Sequence, residues 1–81
     1  MPDKTRCDCV TDTYAIEFDF ASNWAESIGQ GLHYSVLTNK KAGIVLILEN
    51  LKDRKYWIRL NNTIEHFDLP IDTWSIENAV Q

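Results

Sequence analysis

The sequence has little of what marks fibrous, linker-rich or membrane proteins. Its 81 residues include only three glycines, two prolines and two cysteines, a composition typical of one small globular domain without linkers or low-complexity stretches. The longest apolar run extends only from Ile44 to Leu48, too short to span a bilayer. The N-terminus lacks the charged-then-apolar pattern of a signal peptide. We therefore expect a cytoplasmic protein with no membrane partner.

Positive charge and paired cysteines are scarce as well. Eight Lys and Arg stand against twelve Asp and Glu, a formal net charge of −4 that opposes non-specific attraction to phosphate backbones. Binding of nucleic acid would therefore need a local basic patch or metal ions. Cys7 and Cys9 lie two residues apart, which leaves no room for ordinary disulfide geometry in a strand, and two histidines add too little for a zinc site. We expect reduced thiols.

Aromatic residues, by contrast, are plentiful: three Trp, three Tyr and three Phe. A chain of this length buries only about 63% of its surface on folding. Part of the aromatic surface should therefore lie between subunits. The composition thus predicts a homo-oligomer, most simply a dimer.

Apolar periodicity predicts one α/β (α+β) domain over residues 5–78, between tails 1–4 and 79–81, with the order ββαβαβ. Ser22 or Asn23 is expected to cap the first helix and Asp53 the second. The continuous apolar run after Gly43 predicts the central strand. The expected strands are 5–10, 14–20, 43–49 and 72–77, and the expected helices are 24–38 and 53–67.

The second predicted strand alternates aromatic and acidic residues. Its aromatic side is expected to face the core, and Glu17 and Asp19 the opposite side. The core predicted from the apolar positions of every segment consists of Tyr14, Ile16, Phe18, Trp24, Ile28, Leu32, Val45, Ile47, Leu60 and Ile64.

Three carboxylates are candidates for a metal site. Glu17 and Asp19 are neighbours on one strand face, and Asp8 joins them if the hairpin register allows it. Such a cluster repels itself unless a cation lies within it, and its hard oxygen ligands suit Mg²⁺ or Mn²⁺. The alternative interpretation is that these acids are solvated positions on a half-exposed strand.

The helix that follows carries Gln30 and Tyr34, one turn apart on the same face. An Asp in one strand, a Glu-x-Asp in the next and this Gln-x-x-x-Tyr in the helix together resemble the PD-(D/E)xK, restriction-endonuclease-like nuclease superfamily, in particular its RecB-like branch. The resemblance covers residues 6–77. It implies a restriction-endonuclease-like core, bound Mg²⁺ or Mn²⁺, and hydrolysis of DNA phosphodiester bonds. It assigns Asp8 and Glu17 to the metal, with Asp19 beside them, and Gln30 and Tyr34 to positioning the site and the nucleic-acid backbone.

The sequence departs from this family in two places. Asp19 stands where the family has a lysine, and Asn23 stands where a helix lysine substitutes in some members. The helix and strand that precede the family's Asp have only Met1 to Lys4 to form them, so the resemblance leads us to expect either a trimmed version of the fold or a fragment. Two hypotheses follow: a metal-dependent nuclease, or a catalytically inactive relative that acts as a small homo-oligomeric binding or structural module. A third is a subunit or antagonist of a larger nuclease.

Other charged and aromatic residues have simpler interpretations. Arg54, Lys55 and Arg59 are expected to form a solvated helix face rather than a nucleic-acid contact. Trp57 and Trp74 lie in periodic segments, which favours core or subunit-interface positions over base stacking.

Overall fold

The computed structural model describes residues 9–77, which form a four-stranded mixed sheet and two helices. The strand order is β1-β2-β3-β4; β1 is antiparallel to β2, and the other two pairs are parallel. The predicted single small α/β domain is confirmed, with two 3-10 turns in addition, Ala21–Asn23 and Leu51–Asp53. The elements are β1 (Cys9–Val10), β2 (Tyr14–Phe20), α1 (Trp24–Thr38), β3 (Lys41–Leu48), α2 (Arg54–Phe67) and β4 (Ile71–Glu77).

Both helices end at residues with a left-handed backbone. Asn39 has φ 58° after α1, and Asp68 has φ 54° after α2; Asn and Asp adopt this conformation more readily than other non-glycine residues. Asn23 and Asp53 occupy the N-cap positions, as predicted, whereas Ser22 lies in the preceding 3-10 turn. Neither N-cap side chain makes the capping hydrogen bond. Instead a 3-10 turn leads into each helix, and the Asp53 carboxylate accepts a hydrogen bond from the Glu49 N–H at 2.8 Å.

Part of the predicted hairpin lies outside the described residues. Positions 5–8 of the first predicted strand, including Asp8, fall there, as do the tail positions 79–81. Across residues 9–77, neither helix is long and apolar enough to cross a membrane.

The helices cover one face of the sheet, and the core lies between them and β3. Partly buried residues of both helices pack against this core, and they include the predicted Trp24, Ile28, Leu32 and Ile64. Leu60, also predicted, is fully buried. The buried core consists of Ala21, Ala42, Ile44, Leu46, Leu48, Leu60 and Ile71.

The opposite face of the sheet, here called the open face, carries the aromatic residues of β2. The prediction that this side of β2 faces the main core is wrong: Phe18 is 40% exposed, whereas Glu17 is only 6% exposed. Val45 is buried as predicted, but on the open face, in register between Phe18 and Trp74. The open face consists of Cys9, Tyr14, Ile16, Phe18, Phe20, Lys41, Gly43, Val45, Ile47, Asp72, Trp74 and Ile76.

Side-chain volume explains the choice of face. Two of the strand positions on the side that α1 covers are alanines, Ala15 beside Ala42 in register. The helix itself presents the buried Ser27 and Gly31. These small side chains let helix and sheet approach closely, whereas the phenyl ring of Phe18 would hold them apart.

Candidate functional site

The junction between β2 and α1 is the most polar buried region of the described chain. The helix-facing side of β2 carries Ala15, Glu17 and Asp19, because successive side chains of a strand alternate between faces. The connection from β2 through α1 to the parallel strand β3 then lays the helix over this side. Glu17 is consequently buried and Asp19 half-buried.

Asp19 is held by three donors at the start of the helix. Its Oδ1 accepts hydrogen bonds from the Phe20 N–H at 3.0 Å and from Asn23 Nδ2 at 3.2 Å. Its Oδ2 lies 3.1 Å from the hydroxyl of Ser27, which is fully buried. That hydroxyl is also 3.1 Å from the Asn23 carbonyl oxygen, so its single proton serves one acceptor at a time. Asp19 therefore joins the end of β2 to the first turns of α1.

The face that α1 turns towards the sheet also includes the predicted Gln-x-x-x-Tyr pair. Ser27, Gln30, Gly31 and Tyr34 follow one another at helical spacing; Tyr34 is 4% exposed and Gln30 half-buried. The structure thus places all four described site candidates, Glu17, Asp19, Gln30 and Tyr34, along one strand–helix junction. The burial of Tyr34 leaves almost none of its side chain accessible from the surface.

The metal prediction depends on Asp8, which lies outside the described residues. Within residues 9–77, no three His, Cys, Asp or Glu side chains come together as a metal-binding group. Asp19 has about four lone-pair positions, and its three hydrogen bonds leave little room for a cation. The carboxylate chemistry of Glu17 suits a hard divalent ion. Of the two described carboxylates, Glu17 is therefore the candidate metal ligand, whereas Asp19 is engaged by the start of the helix.

The basic residues of α2 have partners in the structure. Arg54 forms an ion pair with Glu77 at 3.0 Å, and Lys55 and Arg59 lie 5.1 and 5.6 Å from the centroid of the Tyr56 ring. These contacts agree with the interpretation of this surface as a solvated helix face.

The sequence reasoning missed a second polar cluster, at one end of the open face. The Tyr14 hydroxyl donates a short hydrogen bond to the Asp72 carboxylate. Lys41 Nζ lies 3.7 Å from the same carboxylate and 5.5 Å from the centroid of the Tyr14 ring. Trp74 meets that ring edge-on, with 5.2 Å between centroids. The hydrogen bond to Asp72, followed by burial and the carboxylate charge, raises the pKa of Tyr14 above its ordinary value.

Ser27 was also missed, although its position four residues after Asn23 is a usable signal, since a serine there can reach back to the backbone carbonyl. Tyr14 and Asp72 are 58 residues apart, so no local pattern connects them. Comparison of the chain with protein-family models, curated proteins and solved structures finds no match.

Proposed function

We propose that the junction of β2 and α1 is the site of a divalent-metal-dependent nuclease that hydrolyses DNA phosphodiester bonds. One observation carries the proposal: the chain buries the carboxylate of Glu17 under its helix and leaves the phenyl ring of Phe18 exposed on the other face. A buried carboxylate has to be compensated by partners or neutralised, so a fold seldom buries one without a reason. Conflicts between local pattern and tertiary structure concentrate at functional sites. A cytoplasmic location is part of this proposal.

In this proposal each residue of the junction has its own role. Glu17 and Asp8 would hold Mg²⁺ or Mn²⁺, which would supply Lewis-acid polarisation of a phosphate oxygen. Gln30 is half-buried, so its amide can donate a hydrogen bond towards a phosphate at the margin of the helix. Tyr34, buried one turn further along α1, would serve as a positioning residue on the same helix face. Asp19 fixes the entry into α1 through Ser27 and Asn23.

The proposal predicts slow hydrolysis. A cation beside the reacting phosphate would stabilise the charge that develops in the transition state, but Asp19 and Asn23 occupy the positions from which the superfamily supplies its lysine. Asn23 is neutral and donates its amide to Asp19. The junction therefore lacks one source of rate enhancement.

Metal binding is tested by thermal unfolding with and without Mg²⁺ or Mn²⁺. At a hundredfold excess over its dissociation constant, an ion that binds only the folded state adds about 2.7 kcal/mol of stability. Glu17→Gln should abolish the rise in melting temperature and metal-dependent cleavage of a labelled DNA. Glu65→Gln, at an exposed position of α2, should retain both. If neither ion moves the unfolding curve of the unmodified protein, the proposal fails.

A gain-of-function variant tests the role of the missing lysine. Asn23→Lys would bring an ammonium group close to Asp19, and we expect metal-dependent cleavage at least tenfold faster than that of the unmodified chain. Asn23→Ala removes the same amide without adding charge, and it should not accelerate cleavage. Equal rates for all three proteins would show that the junction is not a phosphodiesterase site.

The second candidate is a catalytically inactive nuclease-fold relative that acts as a small homo-oligomeric module. It is favoured by the three hydrogen bonds that engage Asp19 and by the neutral Asn23 beside it. This candidate predicts no turnover with either metal for the unmodified chain or for Asn23→Lys.

A further inference from the structure

The open face carries four of the ten exposed large hydrophobic side chains of the described chain. Four of its side chains, Phe18, Phe20, Trp74 and Ile76, are between 40% and 49% exposed, and they lie on two strands that flank the buried Val45 and the half-buried Ile47. Among residues 9–77, the helical residues that pack on the core contact the other side of the sheet. Contiguous exposed apolar surface of this kind marks an interaction site.

The charges of the open face cancel. Its ionisable side chains, apart from the Cys9 thiol, are Tyr14, Lys41 and Asp72, which contact one another at one end of the sheet. The ammonium and the carboxylate neutralise each other, and the remainder of the face carries no charge. The whole chain has a net charge of −4, so this is a surface on which two copies can meet without the repulsion that opposes contact elsewhere.

The area of the face suits a weak, reversible dimer. Three strands of seven or eight residues, about 4.8 Å apart, and the two residues of β1 give a footprint of about 360 Å². Two such faces bury about 720 Å² by this flat measure, less than the roughly 1,000 Å² of a stable specific interface and in the range of weak, transient contacts. Protruding aromatic rings add accessible area to this figure.

We infer that the open face is a homodimer interface, in which the sheets of two copies pack face to face. Self-association satisfies the observations because each copy presents an apolar, charge-balanced surface of matching size to the other. Aligned sheets pack with their strands about 30° apart and their side chains interdigitated, which would bury Phe18 and Trp74 near the centre. The inference is independent of phosphodiester hydrolysis, because Glu17 and Asp19 lie on the other face of the sheet.

The experiment compares two charge-matched double variants by sedimentation equilibrium between about 1 and 200 μM. Phe20→Lys with Ile76→Lys places charge on the open face. Val36→Lys with Ile58→Lys places the same charge on exposed positions of α1 and α2. The unmodified chain and the helix variant should show twice the 9.4 kDa chain mass at the upper concentrations. The open-face variant should remain at the monomer mass, with its dimerisation weakened at least a hundredfold.

Circular dichroism establishes that each variant folds. If the double lysine variant does not, Phe20→Ser alone should weaken dimerisation at least tenfold without loss of folded structure. An unmodified chain that stays monomeric at 200 μM overturns the inference, as does an open-face variant that still dimerises. If the unmodified chain is monomeric and the melting temperature falls sharply in the open-face variant but not in the helix variant, another segment of the same chain covers the open face instead. Glu17→Gln should dimerise normally, which separates this inference from the proposed hydrolysis.

Discussion

The two faces of the sheet invert the usual distribution of side chains. The helix-covered face combines alanines and aliphatic residues with the carboxylates of Glu17 and Asp19, whereas the open face carries Phe18, Phe20 and Trp74. If hydrophobicity alone decided which face the helices cover, they would pack on the aromatic side. The comparison shows that the closeness of helix and sheet, and the polar junction built there, decided it.

The glycines of the two faces show the difference in packing. A Cβ added to Gly31, on the side of α1 that packs on the sheet, would lie 3.5 Å from Ile44 Cγ1, an ordinary van der Waals contact. A Cβ added to Gly43, on the open face, would lie 2.9 Å from Trp74 Cζ3 and 3.3 Å from Ile16 Cγ1. The aromatic side chains of the open face thus pack directly against the backbone of Gly43, and this part of the face is closely packed.

The largest expected effect is the difference in the free energy of unfolding that is lost when a large side chain is truncated on one face or on the other. Leu46→Ala removes a fully buried side chain from the helix-covered face and should cost about 2–5 kcal/mol, enough to unfold much of so small a domain. Phe18→Ala should cost about 1–2 kcal/mol, because the ring is already partly solvated in the monomer. Urea unfolding at low micromolar concentration, where any dimer dissociates, measures both. Equal losses in the free energy of unfolding would mean that the two faces contribute equally to the stability of the monomer.

A smaller difference in stability is expected between alanine substitutions at the two glycines. Gly43→Ala forces the Trp74 ring to move and should cost about 1–2 kcal/mol through overpacking. Gly31→Ala fits its site and improves helix propensity, so stability should stay level or rise by up to about 1 kcal/mol. Thermal unfolding gives both values, and the tryptophan fluorescence of Gly43→Ala should change. A destabilised Gly31→Ala would show that α1 lies closer to the sheet than the structure has it.

The smallest effect concerns the polar end of the open face at high pH. The hydrogen bond from Tyr14 to Asp72 raises the pKa of the phenol in the folded state, so its stabilising contribution is present below the unfolded pKa of about 10. It is lost as pH rises through the folded-state pKa, because the folded state must then release a proton that it binds more tightly. Melting temperature should therefore fall more steeply at high pH for the unmodified chain than for Tyr14→Phe. Parallel curves would contradict this contribution.

Much of the fold could be predicted from local pattern. The predicted limits of β2 and the predicted end of α1 at Thr38 agree with the structure, since both depend on alternation or helical spacing within a few residues. The structure places the acidic candidates of β2 and the amide candidate of α1 along one junction, and their role in a site stays a prediction. The hydrogen bonds from Ser27 and Asn23 to Asp19 were not predicted, because they depend on the turn between strand and helix.

Within residues 9–77 the sequence by itself determined which segments form strands and helices, with ends that differ by one or two residues in β3, α2 and β4. It also determined which side chains of β2 share a face, because both follow from periods of two and 3.6 residues. It left open which face of β2 the helices cover, because an alternating strand has the same pattern whichever side is buried. Only the tertiary structure decided that, through the small residues that let α1 approach and through the parallel register of β2 and β3. The same register brings Tyr14, Lys41 and Asp72 together, and no local pattern could have joined residues so far apart in the chain.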